Sequence, residues 1–152
     1  TPLFRGVLDG NDVHKGWVRE KLSQMIREIA EPAVCILGLA YKPGTSTLRR
    51  STAVEEAVWL HKQGVRVRAH DPAVRELPAE LAKSIELCGS AEEALAGCDA
   101  ALVATAWPQF RGLGAEAFLA MRRPRVVDPT HFLAGVLAGD GRVAYVATGR
   151  AA

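Results

Sequence analysis

Cationic and aromatic side chains are clustered after the first predicted strand of the chain. The segment 38–51 carries Tyr41, Lys42 and the basic pair Arg49-Arg50, and it leads directly into a predicted helix. A helix N-terminus offers free backbone N–H groups, and a lysine or arginine beside it favours phosphate. The segment contains no G-x-G-x-x-G pattern, so the usual dinucleotide fingerprint is missing at this position. These residues predict an anionic ligand, while the alternative that the three cations are solvated loop charges stays open.

The cysteines show no recognisable metal or redox motif. Cys35, Cys88 and Cys98 are an odd number, without Cys-x-x-Cys spacing and without a histidine at metal-ligand distance. Cys35 lies inside an apolar run, which predicts a buried and unreactive thiol, and the other two are predicted to be packing residues. We therefore expect no metal site and no catalytic cysteine here, and the reducing cytoplasm is the simplest location.

Alternating apolar runs and amphipathic segments predict the elements that position these side chains. An apolar face at helical spacing predicts a helix from Asp12 to the stop at Glu31-Pro32. The apolar run 33–38 is typical of a strand buried on both faces of a parallel sheet. Capping boxes predict helix starts at Thr52-x-x-Glu55 and Ser90-x-x-Glu93. Further strands are predicted at 65–70, 85–87, 100–104, 125–127 and 143–146, and further helices at 52–63, 90–97 and 115–121.

About six strands interleaved with helices predict an α/β fold, a Rossmann-like doubly wound parallel sheet with an N-terminal linker helix. We assign residues 1–31 to the lead-in and linker helix, and 32–152 to one Rossmann-like domain. Ligands of such sheets bind beyond the carboxyl ends of the strands. The candidate loops are therefore the segment 38–51 and the loops that begin near Asp71, Thr105 and Asp128.

The composition is that of one globular domain. The chain has 152 residues, of which 49% are hydrophobic and 24% are charged. A net charge of +2 is too small to indicate a nucleic acid or an anionic membrane as the partner. The apolar stretch 33–40 is far shorter than the roughly 18 residues that a membrane span needs. The chain opens at Thr1 rather than Met, and we expect a piece of a longer protein.

A long motif, GLAYKPGT at 38–45, continues through Leu48, Arg49 and Ser51 into the predicted helix. It resembles the C-terminal, UDP-binding domain of the UDP-glucose/GDP-mannose dehydrogenase family, and the resemblance covers nearly the whole chain. The family also matches the chain before and after this motif. In chain order, these matches are Asn11-Asp12, Gly64-Val65 with Val67, Asp71-Pro72, Gly97 with Asp99, Thr105-Ala106-Trp107 with Phe110, Val127-Asp128 and Gly149-Arg150.

The resemblance implies part of an NAD-dependent oxidoreductase for polysaccharide precursor synthesis. Such enzymes oxidise the C6 alcohol of a nucleotide sugar, for example UDP-glucose, to the carboxylate in two hydride transfers. By resemblance, Tyr41 and Lys42 would contact the nucleotide sugar, Trp107 would shape the same cleft, and Arg49 would reach the cofactor or a pyrophosphate. The alternative that Tyr41 and Trp107 are packing aromatics stays open, and it has more weight for Trp107 than for Tyr41.

The resemblance also implies a division of the protein. NAD would be bound mainly by a Rossmann domain absent from this chain, and the family's catalytic cysteine lies upstream of this domain. The chain alone is therefore not expected to be catalytic. The linker helix implies a homodimer in the intact protein.

Four positions depart from the family's pattern. Ser46 and Thr47 stand where members usually carry aspartates. Arg50 replaces a glutamate, and Thr130 replaces an arginine whose bidentate phosphate contact is lost. His131 is a weak candidate to replace the contact of this arginine. The simpler interpretation is that His131 is a half-exposed loop histidine. The leading hypothesis is the nucleotide-sugar-binding domain of a nucleotide-sugar 6-dehydrogenase, and the alternative is a divergent, non-catalytic nucleotide-binding or assembly module.

Overall fold

The computed structural model describes residues 15–148, and its centre is one sheet of six strands. The strands are β1 Ala33–Leu37, β2 Arg66–His70, β3 Glu86–Leu87, β4 Ala100–Val103, β5 Arg125–Asp128 and β6 Ala144–Ala147. Their order is β3-β2-β1-β4-β5-β6, and every neighbouring pair is parallel. This is the strand order of a doubly wound Rossmann sheet, so the predicted fold class is confirmed.

Helices connect the strands. Residues 15–26 are helical and are called α1. The others are α2 Thr52–Lys62, α3 Ala79–Ala82, α4 Ala91–Leu95, α5 Gly114–Phe118 and α6 Ala134–Leu137, with a 3₁₀ helix at Pro108–Leu113 before α5. Among the helices of residues 15–148, none combines the length and the apolar character that a membrane crossing requires.

The central strands β1 and β4 are buried on both faces of the sheet. Successive side chains of a strand point to opposite faces, so each of these strands packs against two layers. In β1, Cys35 and Leu37 pack with residues of α4, α5 and α6. Val34 and Ile36 pack in the opposite layer, with residues of α1 and α2. All five residues of β1 are buried, which explains the continuous apolar run in the sequence.

The register brings three loops to one edge of the sheet. Leu37 at the end of β1 is level with His70 at the end of β2 and with Val103 at the end of β4. The chain leaves β1 to one side for β2, whereas β4 lies on the other side, so the strand order reverses between β1 and β4. Residues 38–51, called the β1–α2 loop, therefore start at the crevice where such sheets bind ligands.

Helix α1 is shorter than its sequence pattern predicted. It ends at Ile26 instead of continuing to Glu31-Pro32, and its beginning at Asp12 lies outside the described residues. The Arg125 guanidinium donates to the Met25 carbonyl in the last turn of the helix. This bond satisfies a carbonyl that a helix end leaves without an intrahelical partner, so the chain can leave the helix there. The apolar periodicity alone contained no information about this distant arginine.

Candidate functional site

The β1–α2 loop begins with a dipeptide whose N–H groups are both held by one carboxylate. Asp71, directly after β2, is 1% exposed. Its Oδ2 accepts hydrogen bonds from the N–H of Leu39 at 2.7 Å and of Ala40 at 2.8 Å. The same oxygen accepts from the Trp107 indole at 3.0 Å, and Oδ1 accepts from the Ala73 N–H at 2.8 Å. The loops after β1, β2 and β4 thus meet at a single buried side chain.

The carbonyls of the same dipeptide are held by two hydroxyl groups. Ser51 Oγ donates to the Leu39 carbonyl at 2.6 Å, and Thr105 Oγ1 donates to the Ala40 carbonyl at 2.8 Å. Gly38, just before them, has φ +93°, and a Cβ there would lie 2.4 Å from the Cβ of Thr105. Only glycine suits this backbone and this close approach. The first residues of the loop therefore have a fixed conformation.

Helix α2 is capped one residue earlier than predicted. Its N-cap is Ser51, whose extended backbone and hydroxyl, accepting from the Val54 N–H at 3.3 Å, satisfy the N-cap geometry. Thr52, the predicted cap, is already in the helix, and Glu55 forms an ion pair with Lys15 at 2.6 Å instead of a capping box. Ser51 therefore starts the helix and fixes the loop at the same time.

The second predicted capping residue is confirmed. Ser90 is the N-cap of α4, and its Oγ accepts from the Glu93 N–H at 3.1 Å. The Glu93 carboxylate accepts a hydrogen bond at 3.0 Å from the N–H of Gly89, the residue before the cap. This helix start is formed by local contacts only.

The middle of the β1–α2 loop is exposed and cationic. The Tyr41 N–H donates to the Thr47 carbonyl at 2.7 Å, which closes the loop on itself, and the Tyr41 side chain is 56% exposed. Lys42, Arg49 and Arg50 are also exposed. Within residues 15–148, no ion pair involves any of these three cations. Their charges are therefore available to an anion.

The two ends of the exposed part start from neighbouring points. Lys42 follows Ala40 by two residues, and Arg49 and Arg50 directly precede Ser51. Ser51 is bonded to Leu39, next to Ala40. The loop geometry thus brings the lysine end and the arginine end of the segment to the same region, as a phosphate site would require.

Trp107 does not lie on this exposed surface. It is 7% exposed and packs in the layer that contains Phe110, with its indole N–H donated to Asp71. The hydrogen bond to Asp71 places Trp107 at the base of the β1–α2 loop. Asp71 also bonds to Ala40, and Tyr41 and Lys42 are the next residues of the loop. Its role in substrate binding stays a prediction, as do the roles of Tyr41, Lys42 and Arg49.

Cavities open at the carboxyl edge of the sheet. A cavity of about 500 Å³ is lined by residues at and after the ends of β2 and β3, among them His70, Arg75 and Cys88. A cavity of about 160 Å³ lies between α1, α2 and β4 and is also lined by Thr130. Neither Tyr41 nor Lys42 lines either of them. A ligand on the β1–α2 loop would thus rest on an open surface, and a second surface would be needed to enclose it.

The residues at this edge do not fit a dinucleotide held in the usual Rossmann manner. That manner needs a glycine-rich turn after β1 for the pyrophosphate and an acidic residue after β2 for the ribose hydroxyl. Here Leu39, Ala40 and Tyr41 follow the first glycine. Both oxygens of Asp71 already accept N–H groups of the chain. This edge therefore lacks the groups that hold NAD in the usual Rossmann manner.

The loop after β5 is tied to its own surroundings. Asp128 Oδ2 accepts from the Leu133 N–H at 2.7 Å and from the Tyr145 hydroxyl at 2.6 Å. His131 is half-buried, has φ +61°, and places Nε2 3.1 Å from Thr148 Oγ1. The prediction of a half-exposed loop histidine is confirmed, and Thr130 beside it is exposed.

All three cysteines are buried and free. Burial raises the pKa of the Cys98 thiol to about 11, and burial likewise raises the pKa values of Cys35 and Cys88. Thiols of this kind stay protonated and are poor nucleophiles. The predicted burial of Cys35 is confirmed. In the described part of the chain, no group of three or more His, Cys, Asp or Glu side chains could hold a metal ion.

Sequence reasoning noted Asp71 and Thr105 as loop residues but assigned them no role. The sequence did contain one signal for a role of Asp71. This residue is a carboxylate that stands directly after a predicted strand, and the neighbouring strands of the sheet are apolar. Such a group must find several donors once it is buried. The sequence did not indicate which donors, because Leu39, Ala40 and Trp107 lie 31 to 36 residues from Asp71 along the chain.

Comparison with known proteins identifies relatives of this chain. The model of the UDP-glucose/GDP-mannose dehydrogenase family, UDP binding domain, matches residues 35–134. The UDP-glucose 6-dehydrogenase AglM of Haloferax volcanii is 38% identical over 129 residues, which cover 83% of this chain and 29% of that protein. The UDP-glucose 6-dehydrogenase of Pseudomonas aeruginosa is 35% identical over 124 residues, which cover 77% of this chain and 27% of that protein.

Solved structures agree with these relatives. A UDP-glucose dehydrogenase from Pyrobaculum islandicum superposes with a TM-score of 0.70 at 28% identity, over 95% of this chain and 31% of that one. A UDP-D-ManNAc dehydrogenase from Pyrococcus horikoshii gives a TM-score of 0.69 at 27% identity, over 91% of this chain and 30% of that one. The chain therefore spans less than a third of the length of these relatives. It belongs to the UDP-glucose/GDP-mannose dehydrogenase family and matches the UDP-binding domain of that family.

Proposed function

We propose that this chain is the nucleotide-sugar-binding domain of a cytoplasmic, NAD-dependent nucleotide-sugar 6-dehydrogenase that acts on UDP-glucose or a related sugar nucleotide. The observation that carries the proposal is the set of three exposed cations without an ion-pair partner among residues 15–148, at the carboxyl edge and beside the start of α2. A diphosphate is the part of a nucleotide sugar that such cations bind. Two relatives named as UDP-glucose 6-dehydrogenases support the choice of substrate class.

Each predicted site residue has a physical role in this proposal. Lys42 and Arg49 supply charge to the pyrophosphate, and Arg49 can alternatively reach NAD across the cleft. Tyr41 offers an exposed ring to the base or the sugar. Trp107 has already donated its indole N–H to Asp71, so its contribution to a ligand would come from the shape of the cleft.

The redox chemistry would take place on parts of the protein outside this chain. Oxidation of the C6 alcohol to a carboxylate would transfer one hydride to each of two NAD⁺ molecules, and water would supply the second carboxylate oxygen. The buried thiols of this chain cannot supply a nucleophile for it. This chain would bind and orient the nucleotide end of the substrate. We propose that residues 1–31 link the two parts and that the intact protein is a homodimer through this linker helix. Val18 and Leu22 of α1 pack against the domain and would fix the helix to it.

Calorimetry with UDP, UDP-glucose, GDP and GDP-mannose tests the proposal. We expect saturable binding of at least one of them, weakened about tenfold or more by Lys42→Ala because one charged phosphate contact is lost. Lys62→Ala is the matched control, since Lys62 is an exposed lysine at the other end of α2. Binding of none of the four nucleotides would overturn the proposal and leave the fold unaffected.

A second candidate function is a nucleotide-binding or assembly module without catalysis. It is favoured by the departures at Ser46, Thr47, Arg50 and Thr130 from the pattern of the resembled family. Nucleotide binding by this chain, together with no NADH formation by the intact protein, would support this alternative over the dehydrogenase.

A further inference from the structure

A buried hydrogen bond joins the loop after β2 to the loop after β4, between the carboxylate of Asp71 and the indole of Trp107. Both side chains are almost fully buried, at 1% and 7% exposure. We infer that this Asp71–Trp107 pair positions the nucleotide-binding residues, because it sets the place from which Tyr41 and Lys42 leave the sheet. The inference rests on the proposed function.

The carboxylate depends on its N–H donors. Among residues 15–148, no cationic side chain forms an ion pair with Asp71. Its negative charge is therefore stabilised by four N–H groups, from Leu39, Ala40, Ala73 and Trp107. A buried charge is costly unless such donors compensate it. Loss of one donor must therefore alter the balance among the remaining three.

The indole is the only side chain among these donors. The indole nitrogen can donate but cannot accept, so its orientation toward Asp71 is unambiguous. The ring is packed in the same layer as Phe110 and is held there by its surroundings. Trp107 therefore fixes the position of Oδ2, and Oδ2 in turn fixes the two N–H groups of the loop.

The distance along the chain from this pair to the predicted ligand contacts is short. Oδ2 holds Ala40, and only Tyr41 separates Ala40 from Lys42. The carbonyl side of the dipeptide is held independently by Ser51 and Thr105. Removing the indole N–H would thus leave both sets of bonds to the dipeptide in place but would remove the side-chain contact that holds Asp71 Oδ2 in position. We expect displaced binding residues and not an unfolded loop.

The position of Asp71 gives a second reason for this assignment. In dinucleotide-binding sheets the acidic residue after the second strand accepts a ribose hydroxyl of the ligand. In this chain the acidic residue at that place accepts N–H groups of the protein instead. It acts on a ligand through the β1–α2 loop, as a positioning residue.

The test substitutes Trp107→Phe, which removes the N–H and keeps an aromatic ring in the core. We expect the affinity for UDP-glucose, followed by NMR titration, to fall about fivefold, which is within the range of coupling between residues that share one hydrogen-bond network. The matched control is Trp59→Phe, since the half-buried Trp59 lies on α2 against Arg19, and we expect it to bind like the wild type.

A double-mutant cycle separates positioning from a general structural role. If Trp107 acts through Tyr41 and Lys42, then Trp107→Phe has almost no further effect on affinity in a background that carries both Tyr41→Ala and Lys42→Ala. The same fivefold loss in both backgrounds would overturn the inference, and so would unchanged affinity of Trp107→Phe. These results would leave the proposed function intact. A wild type that binds no nucleotide would overturn both.

The wild type alone provides a measurement that does not depend on the variants folding. Because the Trp107 indole and the amides of Leu39 and Ala40 share Asp71 Oδ2, we expect their hydrogens to exchange with solvent at similar, slow rates. Fast exchange of the indole hydrogen, with slow exchange of the two amides, would overturn the inference.

Discussion

At the scale of single residues, the carboxyl edge of the sheet depends on a close contact at Gly38, where no side chain fits. Gly38 combines a left-handed backbone, φ +93°, with a position directly against Thr105. Thr105 in turn donates to the Ala40 carbonyl. Thr105, in the loop after β4, therefore contacts the β1–α2 loop at both Gly38 and Ala40, just before the predicted ligand contacts Tyr41 and Lys42.

We predict that Gly38→Ala destabilises the protein by about 3 kcal/mol, from the strain of a positive φ and from the collision with Thr105. Gly44→Ala is the control within the same loop. Gly44 has a similar φ of +87°, but a Cβ there would meet nothing within 4 Å. We expect it to cost only about 1 kcal/mol, which is the backbone term alone. Urea denaturation measures both, and equal losses would show that the contact with Thr105 does not contribute.

Single residues also show what the sequence could and could not predict about the site. Tyr41, Lys42 and Arg49 were identified because their types and their place before a helix are local features. Asp71 was given no role, since all but one of its donors lie more than 30 residues away along the chain. Contacts of that range follow from the register of the sheet, which local patterns do not contain.

At the scale of elements, the start of α2 couples the helix to the β1–α2 loop. Ser51 Oγ accepts from Val54 inside the helix and donates to Leu39 at the base of the loop. The corresponding serine of α4, Ser90, accepts from Glu93 and caps its own helix. The two caps therefore differ in one long-range hydrogen bond.

We predict that Ser51→Ala destabilises the protein by about 2 kcal/mol, and Ser90→Ala by about 1 kcal/mol. Both variants lose a helix cap, but only the first leaves the buried Leu39 carbonyl without the hydroxyl that satisfies it. Urea denaturation of the two variants gives the comparison. A loss at Ser51 no larger than at Ser90 would mean that the bond to Leu39 adds no stability.

The sequence predicted the elements better than their ends. All six strands were expected within a few residues. The central strands β1 and β4 have continuous apolar runs, and β2 shows the alternation of a half-buried strand. The predicted end of α1 and the predicted cap of α2 were wrong. In both cases a distant group decides: Arg125 satisfies a carbonyl of α1, and Ser51 bonds to Leu39. The short helices α3 and α6 were not expected, since four residues carry no periodicity.

At the scale of the whole molecule, the two edges of the sheet treat charge differently. At the carboxyl edge, Lys42 and its neighbouring arginines have no carboxylate partner within residues 15–148. At the amino edge, the fully buried Asp99 binds Arg122 and Arg123 and accepts from the Ala33 N–H at 2.9 Å, where β1 begins. The compensated charge thus holds the fold together, and the uncompensated charge is left for a ligand.

We predict that Asp99 makes the molecule sensitive to acid. Burial alone would raise the pKa of this carboxyl, but hydrogen bonds from Arg122, Ala33 and Arg123 outweigh it and lower the pKa to about 2. The unfolded chain binds this proton near its ordinary pKa of about 3.9. A lowered folded-state pKa gives stability that is present above about pH 4 and is lost as the pH falls toward about 2.

Urea denaturation between neutral pH and pH 2 measures this dependence in the wild type and in Asp99→Asn. We expect the variant to be less stable at neutral pH, and the difference from the wild type to shrink as the pH falls, since protonation removes the same charge. Asp140→Asn is the control. Hydrogen bonds from the Arg142 side chain and backbone lower the pKa of Asp140 to about 2, but Arg142 is exposed, and water and salt screen the pair. Asp140→Asn should therefore change the pH dependence of the free energy of unfolding much less, because the electrostatic interaction within an exposed ion pair is weak. A difference between wild type and Asp99→Asn that stays constant from neutral pH to pH 2 would show that the amino-edge charge is not what acid removes.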